Sequence, residues 1–360
     1  MALLQELNHE LVQTKCVELF DDQNPLILES GAYLDPVHVA YETYGSLNAD
    51  GTNAILICHA LTANAHAAGK HTHNDKTSGW WDSLIGPGRA FDTDHYFVVC
   101  PNILGSCYGT TGPASLNPST GELYRQEFPQ FTIRDLVAVQ KRLLDFLDVQ
   151  ELVTISGSSL GGMQVLEWPL MYPEFCKSII PISTAARQTA WCIALNTAAR
   201  TAIMNDPDWN DGEYELQPSR GLSLARMIGM ISYRSGAEFE ARFGSDRYQI
   251  QNYLSYQGEK LVSRFDANTY LYLTLAMDSH DITRGRDTLA KVLADINCPV
   301  CCIGFSSDVR YPVSDQQELV DHMPNAQLHV LNSIHGHDAF LIEFDAMSKV
   351  ITTFLEDLPA

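Results

Sequence analysis

Leu152 to Ile155 is a run of β-formers, Met163 to Met171 reads as helix, and only the short stretch Ser156-Gly-Ser-Ser-Leu-Gly-Gly162 separates them. A strand that becomes a helix over so short a connection must turn sharply, and a strained apex tolerates only small neighbours. Ser159 lies at that apex, with Gly157 and Gly161 two positions to either side, which is the Gly-x-Ser-x-Gly pattern of a nucleophile elbow. The helix that begins there favours negative charge developing at its start. Ser158 is the competing hydroxyl, but only Ser159 has glycines at both −2 and +2. Taken alone, the pattern also fits a small-residue turn of any parallel-sheet protein, so the remainder of the chain has to discriminate.

Gly31 to Tyr44 alternates apolar and polar residues and predicts antiparallel opening strands. Asn53 to His59 is continuously apolar, as in a strand buried on both faces. It runs into a small-residue loop, His59 to His66, of the kind that borders the ligand crevice of an open α/β sheet. The backbone N–H of Leu61 in that loop and of Leu160 after the elbow are the expected oxyanion donors. His59 precedes the serine, the wrong order for a catalytic base, and is expected to hold the loop. His66, His71 and His73 have no regular element to fix their spacing, so a solvated loop is expected there. Tyr96 to Cys100 is a further strand, followed by a long Gly/Ser/Thr-rich loop from Gly105 to Gly121, a length that is usually functional or poorly ordered. Phe131 to Leu147 has helical periodicity with Thr132 as N-cap, and it completes a strand-helix-strand unit with the elbow strand.

After the strand Ser178 to Ile182 the pattern changes. Ala185 to about Ala290 contains helical segments, including Trp191–Met204, Ser223–Tyr233 and Asn268–Met277, and no strand-like runs. We read residues 185–290 as a helical cap inserted between the sixth and seventh strands of a core formed by 1–184 and 291–360. Strands resume at Pro299–Gly304, ending in Phe305-Ser-Ser-Asp308, and at Gln327–Leu331, ending in Ser333-Ile-His-Gly-His-Asp338. A serine at an elbow, an aspartate past a later strand and a histidine past the last strand give the order Ser159, Asp308, His337 of an α/β-hydrolase fold, a mainly parallel sheet with an inserted helical cap. The chemistry requires each type: His337 removes the serine proton, and Asp308 holds the imidazole tautomer and stabilises its cation. His335 and Asp315 are the competitors. His337 is preferred because Gly336 lets the loop turn back toward the elbow, and Asp308 because it follows its strand directly.

The 44 Asp and Glu against 23 Lys and Arg, a formal charge of −21, argue against a nucleic-acid or anionic-membrane surface, though an anionic cofactor could bind in a local basic pocket. Nine cysteines, mostly inside apolar runs, read as free thiols of a reducing compartment. Cys298-Pro-Val-Cys301-Cys302 has near metal-ligand spacing but no second pair, so no metal is expected. Met1 to Lys15 lacks the pattern of a secretory signal, and no apolar run nears the roughly 18 residues of a membrane span, so a cytoplasmic protein is expected.

Several separated stretches resemble the homoserine O-acyltransferase family: Cys58-His-Ala-Leu-Thr, Gly79-Trp-Trp-Asp, Gly109-Thr-Thr-Gly-Pro, Ser159-Leu-Gly-Gly-Met-Gln, Leu224-Ala-Arg-Met-Ile-Gly, Tyr256-Gln-Gly, Arg264-Phe-Asp-Ala-Asn-Thr-Tyr and Gly336-His-Asp-Ala-Phe-Leu. The resemblance runs from Tyr41 to Leu341, with Ser158 standing where the family usually has glycine. It implies a cytoplasmic homodimer that moves an acyl group from CoA to the side-chain hydroxyl of homoserine in methionine biosynthesis, with no permanently bound cofactor. It also implies Ser159, Asp308 and His337 as the triad, Arg226 and Tyr233 on the substrate carboxylate, and Asp338 on its ammonium. Arg226 and Tyr233 are two helical turns apart, which puts both on one helix face. For the donor, Arg310 falls two positions after the triad aspartate, where succinyl-CoA members tend to carry arginine and acetyl-CoA members an apolar residue. An arginine has reason to be there if it pairs with a succinyl carboxylate, so succinyl-CoA is the expected donor and acetyl-CoA the alternative; Arg310 could also face solvent or Glu318. An esterase using water, a serine O-acyltransferase and a catalytically silent binding module are the other readings.

Overall fold

The computed structural model describes residues 11–358. Eight strands form one sheet: β1 (Lys15–Phe20), β2 (Val37–Tyr44), β3 (Ala54–Cys58), β4 (Phe97–Pro101), β5 (Leu152–Ser158), β6 (Ile179–Ile182), β7 (Val300–Phe305) and β8 (Ala326–Leu331). They lie in the order β1-β2-β4-β3-β5-β6-β7-β8. The β1–β2 and β2–β4 pairs are antiparallel and the others parallel, so the sheet is mixed only at its opening edge. β3, β4, β6 and β7 are buried throughout, because helices cover both faces of the parallel part.

On one face, α1 (Ile133–Phe146) and α2 (Leu160–Met171) flank the elbow strand. α1 starts where Thr132 accepts from Asp135 N–H while the Asp135 carboxylate accepts from Thr132 N–H, a capping box whose loss costs about 1 kcal/mol. Its buried Leu136, Val139, Leu143 and Leu144 recur at helical spacing and meet the sheet.

The segment between β6 and β7 holds α3 (Ala190–Met204), α4 (Ser219–Tyr233), α5 (Gly236–Phe243), α6 (Gln249–Val262), α7 (Ala267–Asp278) and α8 (Leu289–Ala294). α9 (Val313–Val320) follows β7, and α10 (Phe344–Glu356) closes the described chain. α10 covers the opposite face of the sheet with Met347, Ile351 and Leu355.

The loop from Gly105 to Gly121 is anchored rather than poorly ordered. Thr110 and Thr111 are buried, Ala40 N–H donates to Thr110 Oγ1 (3.0 Å), and Thr111 N–H donates to His38 O (3.0 Å). In Gly79-Trp-Trp-Asp82 the last two residues are structural: Trp81 is fully buried and donates to Phe340 O (3.0 Å), while Asp82 accepts from Gly69 N–H (2.7 Å). Cys301 and Cys302 are adjacent on β7 and enter opposite core faces, so they cannot converge on one ion.

Candidate active site

Ser159 has φ 57° and ψ −121°, a conformation that non-glycine residues avoid and that a nucleophile elbow imposes. The strain is sustained by surrounding contacts: Ser159 N–H donates to Ile182 O (3.0 Å), and its carbonyl accepts from Met163 N–H (3.1 Å) and Thr184 Oγ1 (3.2 Å). The flanking glycines are required by close approach. A Cβ on Gly161 would lie 2.0 Å from Cys58 O, and one on Gly157 would lie 2.6 Å from the same oxygen. Ser158 is a buried β5 residue whose hydroxyl has no partner, whereas Ser159 lines a cleft of about 470 Å³.

Asp308 follows β7 directly. Its Oδ1 accepts from Arg310 N–H (2.8 Å) and Tyr311 N–H (3.0 Å), and its Oδ2 lies 2.8 Å from His337 Nδ1. An acceptor at that distance places the proton on Nδ1 and leaves Nε2 as a base. The imidazole is packed by Tyr311, Phe340 and Tyr233, with ring centroids 5.3, 5.4 and 6.0 Å away. His337 and Ser159 line the same cleft. Both competitors lie elsewhere: His335 faces Glu238 at 3.5 Å, and Asp315 opens α9, its carboxyl raised to about 6 by burial and by the charges of Glu318 and Asp308.

Gly336, at φ +65°, lets the histidine loop press on the end of α4; a Cβ there would lie 2.7 Å from Ser235 N. Ser235 Oγ donates to Ile334 O, and Arg234 Nε pairs with Asp338 at 3.0 Å, which fastens the same junction.

Leu61 lines the cleft and Leu160 is the first residue of α2, so the two amides named as oxyanion donors border the serine. Neighbouring His59 is fully buried: its Nε2 accepts from Ile103 N–H (3.1 Å) and its Nδ1 donates to Ala60 O (2.8 Å). Burial lowers its pKa to about 4, which keeps the ring neutral as a brace for the loop.

Arg226, Tyr233 and Asp338 also converge on the cleft. α4 carries the first two on one face, with the Arg226 guanidinium 5.4 Å from the Tyr233 ring centroid. Burial raises the Asp338 pKa against the opposing pull of Arg234 and Arg226, so a cation near it would favour the charged form. Arg310 turns toward neither solvent nor Glu318, which pairs with Arg187 at 3.5 Å. It is 3% exposed, donates to Ser232 Oγ (2.9 Å) and Asn196 Oδ1 (3.2 Å), stands 5.1 Å from the Tyr233 ring and reaches the cleft wall.

The expectation of a merely solvated histidine loop does not hold for His66 and His71. Their rings lie 4.0 Å apart over Glu42, which is fully buried on β2. Oε2 of Glu42 accepts from Tyr44 OH (2.8 Å) and His66 Nδ1 (3.0 Å), and Oε1 from Thr14 Oγ1 (2.7 Å) and His71 Nε2 (2.8 Å). Burial alone would raise this carboxyl, but the hydrogen bonds from His66, His71 and Thr14 outweigh it and bring the pKa down to about 2. The set has the composition of a metal-ligand triad, yet each oxygen already accepts two hydrogen bonds, so it serves as a hub joining the amino-terminal segment, β2 and the cleft-lining loop. Sequence reading missed this hub, and also missed Lys260 and Arg264 on the cleft wall.

The α/β hydrolase fold family matches residues 53–343, and the chain belongs to it. Within that class it is 49% identical to a homoserine O-acetyltransferase of Carboxydothermus hydrogenoformans over 96% of each chain. The crystal structure of a homoserine O-acetyltransferase from Bacillus anthracis superposes with a TM-score of 0.91 at 31% identity, covering 98% of this chain and 99% of that one. Esterase E22 superposes with a TM-score of 0.88 at 30% identity, covering 96% and 100%. The chain is a member of the homoserine O-acyltransferase family of enzymes.

Proposed function

We propose that the protein transfers an acetyl group from acetyl-CoA to the side-chain hydroxyl of L-homoserine, through an acyl-enzyme on Ser159. The observation that carries this reading is the convergence of Arg226, Tyr233 and Asp338 on the cleft that contains Ser159 and His337. Hydrolysis needs the triad alone; an amino-acid acceptor also needs a cation for its carboxylate and an anion for its ammonium.

In the proposed cycle His337 Nε2 takes the Ser159 proton as Oγ attacks the thioester carbonyl, and the Leu61 and Leu160 amides hold the oxyanion. The thiolate leaves with that proton as CoA. Homoserine then gives its hydroxyl proton to Nε2 and attacks the acyl carbonyl, and the proton returns to Ser159 as the ester departs. Residues 185–290 act as a cap over this cleft and limit the access of water.

Acetyl is favoured by the names of the relatives and because Ser232 and Asn196 already occupy part of the Arg310 guanidinium, whose burial therefore does not depend on a substrate carboxylate. A succinyl donor is the second reading, supported by the presence of that guanidinium on the cleft wall. The test measures thiol release with acetyl-CoA and succinyl-CoA, each with homoserine, serine or no acceptor. Fast release only with acetyl-CoA and homoserine is expected. Equal release without an acceptor would make the protein an esterase, and a succinyl preference that Arg310→Leu abolishes would establish the second reading.

A further inference from the structure

The cleft is charged in the opposite sense to the chain that forms it. Against a net charge of −21, its wall presents Arg226, Lys260, Arg264 and Arg310 and a single carboxylate, Asp338. Asp338 is already paired with Arg234. Among the described residues none of the four wall cations has a carboxylate partner, whereas elsewhere Arg200 and Arg286 each take one and Arg134 takes two. Unpaired cations gathered in one cavity of a strongly acidic protein raise the local concentration of a ligand with several negative charges.

A homoserine carboxylate at Arg226 and Tyr233 uses the inner end of the cleft. Arg310 is buried there and partly engaged. Lys260 and Arg264 are exposed and remain without a role. They lie four residues apart, Lys260 in the last turn of α6 and Arg264 just past it. The helix dipole would account for a lysine in that turn, but not for an arginine beyond the helix end. Arg264 is fixed against the lip of the cleft, with Nη1 donating to Thr62 O and Tyr108 OH, both at 2.6 Å.

We infer that Lys260 and Arg264 form a rim subsite for the phosphate groups of CoA, with the pantetheine arm running inward along the Ala60–Asn64 loop to Ser159. The inference rests on the proposed function. A thioester that reaches Ser159 leaves the bulky, polyanionic nucleotide end of its carrier at the mouth of the cleft, where these two cations stand. The pantetheine arm, being uncharged, draws nothing from them.

The test measures binding of free CoA, 3′-dephospho-CoA and pantetheine to the full-length protein and to Lys260→Ala, Lys260→Glu and Arg264→Gln, across a range of salt concentrations. Lys260 is an exposed helical residue, so its variants keep the fold. The dissociation constant for CoA is expected to rise about threefold in Lys260→Ala and about tenfold in Lys260→Glu, with a steeper salt dependence for CoA than for pantetheine. Pantetheine affinity should change less than twofold in both, and 3′-dephospho-CoA shows whether the pyrophosphate or the 3′-phosphate is read. Wild-type binding of CoA that Lys260→Glu leaves intact, or equal losses for CoA and pantetheine, would overturn the rim subsite and leave the proposed function standing. Absence of CoA binding by the wild-type protein would overturn both.

Discussion

The two sides of the cleft are built differently. Ser159, Asp308 and His337 each follow a strand of the sheet and are almost completely buried; several hydrogen bonds fix the Ser159 backbone and the Asp308 carboxylate, which in turn holds the His337 ring. Arg226, Tyr233, Lys260 and Arg264 come from α4, α6 or the turn that follows α6, and all are partly or fully exposed. The same helices show Leu224, Ile231 and Tyr256 to solvent. On the proposed reading, the reacting groups therefore rest on the buried core, and recognition rests on the more exposed helical layer. Damage to the first side should appear in kcat, and damage to the second in KM.

The sharpest way to break that contrast is Asp308→Asn. The amide would leave His337 without the acceptor that sets its tautomer, and kcat for thiol release should fall about 10³- to 10⁴-fold with little change in KM. A smaller effect is expected on the helical side. Arg226→Leu should raise the KM for homoserine about 10- to 100-fold, well beyond any fall in kcat, and steady-state kinetics with both substrates varied separates the two. A dominant kcat effect would show that the helices carry chemistry as well.

Glu42→Gln probes a third place, the hub behind the cleft loop. The amide can accept at only one of its two positions, so two of four hydrogen bonds are lost in a buried site, and about 2–3 kcal/mol of stability should go with them, read by denaturant unfolding. The pH profile gives the sign. A carboxyl held at about 2 when folded, below its unfolded value near 4.3, stabilises the protein fully above the unfolded value and loses that contribution as pH falls toward 2. The variant should therefore close the gap to wild type over that acid range.

Where local signals agreed with the fold, the sequence was readable. The elbow, the apolar runs of β3 and β4, the Thr132 cap and the placing of Asp308 and His337 after β7 and β8 all depend on neighbours along the chain, and the helical stretch does fall between the sixth and seventh strands. α6 escaped notice because only Tyr253, Gly258 and Leu261 are buried along it, too few to make an apolar stripe. Its closest approach is made by Gly258, where a Cβ would meet Ser223 Oγ of α4 at 2.1 Å, a constraint that exists only once the helices are packed. Glu42 was hidden for a similar reason: alternation along β2 predicts a half-exposed strand, whereas most of β2 is buried and its acid is satisfied by residues 2 to 29 positions away. Arg310 illustrates a residue whose position was legible and whose neighbours were not, since Ser232 and Asn196 come from distant helices.

Gly336 seats the histidine loop directly on the backbone at the end of α4. At that weld the end of α4 and the loop that carries His337 are held together, so a hinged opening there would drag the imidazole out of alignment. On the proposed reading, reactants then reach Ser159 through the mouth of the cleft, and the pace of turnover depends on how quickly a long, flexible carrier enters and leaves it.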